Sequence, residues 1–372
     1  MKIVAEYIWL DGYKPLPSLR SKTKVINPAG FIDLGDRDSR REKQFSLGYF
    51  YPEWTFDGSS TEQATGDHSD CILKPVATYK NPLAETVPDM QEVLVLCEVM
   101  LPNGEPHPSN TRAALARAIE VTKLEPLCGF EQEYIMLHPV ERNEYAPLGW
   151  VVGDEGREQC AYPPGPQGPF YCGIGQEAVS GRALADEHLR ACLKAGLSIG
   201  GLNAEVMHGQ WEYQIGPLNP LECSDQLWVA RWLMHRLSEK YGISVTLLPK
   251  PYEDVNGSGC HTNWSTTSTR DSKIGMEAIE SLCSVLRGRH KLHISQYGEG
   301  IEKRLSGAYE TCSYREFKSG VSDRSASIRI PLHVAQAGCG YLEDRRPCSN
   351  IDPYVVSGLL LDASEQATVT VL

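Results

Sequence analysis

Residues 129–137 read GFEQEYIML. The run is apolar and β-prone, yet it carries two carboxylates two positions apart. As a strand it presents Glu131, Glu133 and Ile135 on one face, and Phe130, Gln132, Tyr134 and Met136 on the other. Like charges on one strand face repel, and burying them uncompensated is costly. Two placements suit such a strand: a solvated sheet edge, or a position beside a cation. Taken by itself, the run fits the solvated edge better.

Three other segments bear on that choice. In GLNAEVMHGQWEYQIG (201–216), two β-prone runs flank His208-Gly209. A two-residue hairpin turn there pairs Met207 with Gln210 and Val206 with Trp211, and sets Glu205 directly opposite Glu212. Opposed like charges destabilise a hairpin. A divalent cation reverses that sign, and a slipped register separates the pair instead. In VNGSGCHTNWS (255–265), Asn256-Gly257 and Gly259 permit tight turns and close backbone approach, and His261, Asn263 and Ser265 then alternate on one strand face. An ordinary hairpin with outward polar residues shows the same pattern. In GYLEDRRP (340–347), Glu343 and Arg345 share a face if the segment is a strand, either as a surface salt bridge or as part of a site.

Five glutamates and one histidine thus stand as hard-ligand candidates. Carboxylate-rich donors with little sulfur suit Mg²⁺ or Mn²⁺, and Mg²⁺ commonly works with phosphates. Arginines recur in KRLSG (303–307), DRSASIR (323–329) and EDRR (343–346). Their forks match carboxylate and phosphate oxygens. Acidic donors together with arginines imply phosphoryl chemistry on an anionic substrate. Neither a Walker P-loop nor GxGxxG is present, so a nucleotide site would be of another kind.

The chain has 372 residues, enough for two domains. A net charge of −12 argues against nucleic acid or an anionic membrane as partner. No apolar stretch approaches the roughly 18 residues of a membrane helix. MKIVAEYIWLDG reads as a first strand rather than a signal peptide. The twelve cysteines are scattered without a CxxC pair, which suits reduced thiols and a cytoplasmic location.

Residues 1–100 are strand-rich, with turns at Asp11-Gly12, Asn27-Pro28, Asp57-Gly58 and Asn81-Pro82, and EVLVLCEVM (92–100) is a buried strand closing this part. The Pro/Gly-rich LPNGEPHPSN (101–110) is a linker whose Ser109-Asn110 caps a helix over TRAALARAIEVTK. Further helices are predicted near 176–195, 223–241 and 273–293. AYPPGPQGPFYCGIG (161–175) is a long shaped loop, and its aromatic content favours an ordered, functional role.

WTFDGSST (54–61), GFEQEY, GPQGPFYCGIG, NAEVMHGQWEYQIGP, NGSGCHTNWST, RLSG, RSASIR and GYLEDRRPCSN resemble, in order, the signature segments of glutamine synthetase of the eukaryotic type (class II). The resemblance runs from residue 5 to about residue 355. It implies an α+β chain: an N-terminal β-grasp domain over 1–105, then a larger α/β catalytic domain over 106–372 with an antiparallel sheet and helices. The implied reaction makes glutamine from glutamate, ammonia and ATP. The implied assembly is a decamer of two pentameric rings with sites between neighbouring subunits.

The resemblance also implies residue roles. One metal falls to Glu133, Glu205 and Glu212, the other to Glu131, His261 and Glu343, so the two glutamates of EQE serve different cations, with two or three Mg²⁺ or Mn²⁺ per site. Arg329 and Arg345 offset charge during phosphoryl transfer. Arg304 and Arg324 bind carboxylate and phosphate oxygens, with Asn256, Gly257 and His261 beside the substrate. Asp57 and Ser60 of a neighbouring subunit, with Tyr171 and Glu310, form an ammonium pocket. Asp57 helps take the proton, and Glu310 sits on a flap that shields the intermediate from water. Asn263, Ser265, Arg270 and Tyr341, with Glu131 and Arg329, match positions near the nucleotide.

The chain departs from the family pattern at four places. Leu127 stands where a tryptophan usually packs near adenine, Tyr309 replaces the histidine of HET, VSD (321–323) replaces VAN, and His208 replaces a proline. A γ-glutamyl ligase for an organic amine, motivated by Tyr309, and a non-catalytic ring-forming relative are the alternatives to an active glutamine synthetase.

Overall fold

The computed structural model describes residues 2–27, 51–85, 87–139, 145–152, 158–159, 170–253 and 255–371. Pro28, Cys160 and residues 161–169 of the Pro/Gly-rich loop lie outside them. The chain forms two compact units, residues 1–114 with 191–197, and residues 115–190 with 198–372.

The first unit is built on a sheet of β1 (Lys2–Leu10), β2 (Leu19–Ile26), β3 (Trp54–Asp57), β4 (Asp70–Lys80) and β5 (Met90–Met100), in the order β2-β1-β5-β4-β3. β1 and β5 run parallel, and the other neighbours are antiparallel. β1 alternates as its sequence requires: Ile3, Ala5, Tyr7 and Trp9 enter the core with Val93, Val95 and Cys97 of β5. The run 92–100 is the buried last strand of this part, as expected, and it takes the middle place in the sheet. Asp57 ends β3 and caps the turn Gly58–Thr61, accepting from Ser59 N at 3.0 Å. Asn110 Oδ1 accepts from Ala113 N at 3.1 Å, the expected cap of helix Thr111–Val121.

The second unit contains β6 (Leu127–Pro139), β7 (Tyr145–Pro147), the short pair β8 (Val151–Val152) and β9 (Glu158–Gln159), β10 (Ile199–Ala204), β11 (Gln210–Leu218), β12 (Ser244–Thr246), β13 (Cys260–Ser265), β14 (Ser319–Val321), β15 (Ile328–Ile330) and β16 (Leu342–Asp344). Among the described residues, nine of these make one sheet. Its main path is β10-β11-β6-β13-β16-β15-β14, with β12 and β7 also pairing with β6. The solvated-edge reading of GFEQEYIML therefore fails, because β6 is interior, flanked by β11 and β13.

One face of β6 is closed by the helix Pro220–Tyr241. Its buried Arg231 donates to Gln132 Oε1 from Nε and Nη2 at 2.8 and 2.7 Å, to Ile351 O at 2.8 Å and to Ser349 O at 3.0 Å. That helix starts three residues before its sequence-based bound, with Asn219 as cap and Pro220 at its first turn. The helix expected over 176–195 begins only at Arg182, and the one expected over 273–293 is two, Gly275–Gly288 and His290–Ile294. A further helix, Pro353–Val371, packs against Gly275–Gly288 and Pro220–Tyr241. Among the described residues, no helix is long and apolar enough to cross a membrane, and the cysteines are free.

Candidate active site

The register of the large sheet aligns the polar side chains of its open face in rows. Glu212 of β11 is directly opposite Glu133 of β6, and Gln214 is opposite Glu131. Across the other edge of β6, Glu131 is opposite His261 of β13. Asn263 of β13 is opposite Glu343 of β16, which is opposite Arg329 of β15. Five strands thus bring together residues far apart in the chain.

The hairpin register differs from the expected one. Asn203, not Glu205, faces Glu212, and Ala204 faces Trp211. The turn takes five residues, 205–209. Val206 and Met207 are apolar and turn inward, Met207 packing with Ile135 and Val255, and Gly209 closes the loop at φ +84°. Glu205 therefore leaves the ladder, but it stays in the same site.

That site is an open cavity of about 1000 Å³, mouth included, within the second unit. All six donor candidates line it: Glu131, Glu133, Glu205, Glu212, His261 and Glu343. So do Arg304, Arg324, Arg329 and Arg345. Tyr171, Asn256, Gly257 and Glu310 complete the expected set of this unit around the cavity. Donor atoms of Glu131, His261 and Glu343 lie within 4.8 Å of one another. His261 Nδ1 is 3.6 Å from Glu131 Oε2 and 3.5 Å from Glu343 Oε1. Arg329 and Arg345 each bind Glu343 at 2.7 Å. Glu343 is 1% exposed, so these are not surface salt bridges. Arg304 Nη2 meets His261 Nε2 at 2.9 Å, an approach that Gly259 allows, since a Cβ there would lie 2.3 Å from that guanidinium nitrogen.

Known proteins share this sequence over nearly its whole length. The family model described as the glutamine synthetase catalytic domain matches residues 108–281, and that of the glutamine synthetase beta-grasp domain matches residues 2–102. The chloroplastic glutamine synthetase of Chlamydomonas reinhardtii is 48% identical over 370 residues, covering 96% of this chain and 90% of that protein. A glutamine synthetase of Streptomyces viridochromogenes is 47% identical over 97% of this chain and 96% of that protein. This chain belongs to the glutamine synthetase family. In fold it is similar to a Plasmodium falciparum glutamine synthetase solved by cryo-electron microscopy, with a TM-score of 0.74 at 15% identity, covering 99% of this chain and 72% of that one. The β-grasp domain and the mixed α/β catalytic domain are those of a glutamine synthetase.

The electrostatics of this glutamine synthetase cavity fit a divalent cation. Burial and the neighbouring Glu205 push the Glu133 carboxyl up to about 8. Burial and Glu212 push Glu205 up to about 7. Burial, Glu131 and Glu133 push Glu212 up to about 8. Burial, with Arg345 and Arg304 close by, holds His261 well below the ordinary imidazole range, so it is a neutral ligand-ready ring. Three buried carboxylates that resist ionisation together are what positive charge would relieve.

Polar side chains outside the expected set orient these donors. Asn203 Nδ2 donates to Glu205 Oε1 at 2.9 Å, Gln214 Nε2 to Glu212 Oε1 at 2.9 Å, and the backbone N–H of Gly259 to Glu133 Oε2 at 2.7 Å. Gln214 was recoverable from sequence, because Gln210, Glu212 and Gln214 alternate along one strand. The nucleotide candidates do not line the cavity, apart from Glu131 and Arg329. They gather beside it: Asn263 Nδ2 donates to Glu131 Oε1 at 2.8 Å, Leu127 is paired with Ser265, and Arg270 Nη1 donates to Ser265 Oγ at 2.9 Å. Tyr341 packs on His333 at 5.6 Å between ring centres, and its hydroxyl is pushed up by burial and by Glu131. Asp57 and Ser60 belong to the first unit, where Ser60 Oγ donates to Asp57 Oδ2 at 2.7 Å. Hydrogen bonds from Ser59 and Ser60 hold Asp57 below the usual carboxylate range, so it is a charged acceptor.

Proposed function

We infer that this chain ligates ammonia to the γ-carboxylate of L-glutamate at the expense of ATP, through γ-glutamyl phosphate, releasing L-glutamine, ADP and phosphate. It is a glutamate–ammonia ligase. The observation that carries this reading is the convergence of six hard donors and four arginines on one cavity.

Glu133, Glu205 and Glu212 would hold one divalent cation, and Glu131, His261 and Glu343 a second. The oxygen-rich donor set suits Mg²⁺ or Mn²⁺, two or three per site. Bound there, the cations offset the charge of phosphate and carboxylate oxygens. Arg304 and Arg324 anchor anionic groups of glutamate and phosphate. Asn256 Oδ1, buried and without a hydrogen-bond partner among the described residues, is an acceptor for the substrate ammonium group. Arg329 and Arg345, released from Glu343 in part, stabilise the moving phosphoryl group. Leu127, Asn263, Ser265, Arg270 and Tyr341 flank the nucleotide. Tyr171 and Glu310, with Asp57 and Ser60 of a neighbouring subunit, bind ammonium, and Asp57 takes a proton as ammonia attacks the acyl phosphate.

The same reading makes the assembly a decamer of two five-membered rings in the cytoplasm, with the β-grasp domain ending at residue 105. The test is product formation from ATP and glutamate with ammonia, methylamine and ethylamine. Glutamine formation with the highest kcat/KM for ammonia supports the reading. Preference for an alkylamine, or no ATP-dependent product, overturns it.

A further inference from the structure

Ala308–Thr311 is a tight turn, closed by Thr311 N donating to Ala308 O at 3.2 Å. Its central residues, Tyr309 and Glu310, both have positive φ, 53° and 59°. Asn-Gly pairs favour that geometry, and residues with large side chains resist it. Such a conformation persists only where its surroundings hold it. The Thr311 hydroxyl donates to Ala308 O at 2.7 Å and to Arg304 O at 3.3 Å, fixing the far side of the turn. On the near side, Lys250 Nζ sits 4.0 Å from the centre of the Tyr309 ring. The same ammonium donates to Val255 O, in the residue before Asn256-Gly257 at the cavity wall. One charge thus joins the turn that carries Glu310 to the loop that carries Asn256.

We propose that Lys250 and Tyr309 form a clasp that positions Glu310 and keeps water from the acyl phosphate, so that these two positioning residues set the yield of glutamine per ATP. This rests on the ligase reading above. The cation–ring contact supplies the hold and remains shielded because both partners are half-buried. With the clasp open, water replaces ammonia as the nucleophile. Its oxygen bonds to the acyl carbon, the carbon–oxygen bond to phosphate breaks, and phosphate leaves with the electron pair. Glutamate is regenerated, the proton goes to solvent, and the net reaction is ATP hydrolysis.

The test compares the native enzyme with Lys250→Met, Tyr309→Leu and the ring-preserving Tyr309→Phe. Phosphate released per glutamine should rise about threefold or more in the first two variants and stay near one in Tyr309→Phe. KM for ammonium should rise about tenfold while KM for ATP is unchanged. Hydrogen exchange over residues 306–314 should quicken in Lys250→Met and Tyr309→Leu, and this readout needs no turnover. Native-like phosphate ratios together with native-like exchange in both variants would overturn the clasp. A native protein that makes no glutamine would refute the ligase reading instead, and the exchange result would still decide whether the clasp exists.

Discussion

Glu133 and Glu212 stand directly opposite each other on neighbouring strands, and both are buried. Cross-strand pairs of like charge destabilise a sheet. With Glu205 in the same cavity, the local cluster opposes folding unless protons or cations neutralise it. The sheet therefore stores its own demand for a cation at the point where phosphoryl chemistry is proposed.

Glu212→Gln should make the metal-free protein more stable, because the substitution removes a buried like charge and keeps the shape. The same variant should bind Mn²⁺ at least about tenfold more weakly. Thermal melts in chelator, paired with a metal titration, check both. A metal-free Glu212→Gln that melts below the native protein at pH 8 would contradict the account.

The pH dependence has a definite sign. Glu133, Glu205 and Glu212 have folded-state values raised from 4.5 to about 8, 7 and 8. Their contribution to metal-free stability is fully present below pH 4.5 and is lost as pH rises toward 8. The melting advantage of Glu212→Gln over the native protein, both in chelator, should therefore widen from pH 5 to pH 8. Saturating metal should flatten this dependence, and metal binding should release protons measurable by a pH indicator.

Much of this site was legible because strands alternate. Glu131 and Glu133, or His261 and Asn263, fall on one face by period two alone; Glu131, Glu133 and His261 line the cavity, and Asn263 sits beside it on Glu131. The Glu205–Glu212 register was not legible. Whether Val206 and Met207 extend a strand or fold into a turn depends on the core that Met207 meets at Ile135 and Val255, which lie elsewhere in the chain. The helix Pro353–Val371 carries no clear sequence signature for a related reason. PYVVSGLLLDASEQATVTV is apolar around most of its circumference, so it has no polar stripe to mark it. The role of Arg231 was hidden too, since its partners Gln132, Ser349 and Ile351 come from separate segments.

Arg231→Leu should destabilise the fold by about 3 kcal/mol or more, since four buried hydrogen bonds from a charged donor are lost at roughly 1 kcal/mol or more each. Among the described residues, only Ser349 O keeps another donor, Gln132 Nε2. Urea unfolding of the metal-loaded protein measures this. A loss below about 1 kcal/mol would show that water or a rearranged neighbour satisfies Gln132, Ser349 and Ile351.

Asp57→Ala and Arg324→Ala chains should each be inactive alone. If the site combines Asp57 of one subunit with Arg324 of the next, co-assembled mixed rings contain some interfaces with both halves intact. Activity should then reappear on mixing. No recovery, with co-assembly established by mass spectrometry, would contradict an intersubunit site.

Counting bound Mn²⁺ in Glu131→Ala and Glu205→Ala, alongside glutamine formation, separates the two proposed cation sites. Glu131 and Glu205 are proposed to hold different cations. Each variant should lose one metal site, keep the other, retain its oligomer and fail to make glutamine. Near-native turnover in either variant at ordinary Mg²⁺ concentration, or a full complement of bound metal in both, would contradict this assignment.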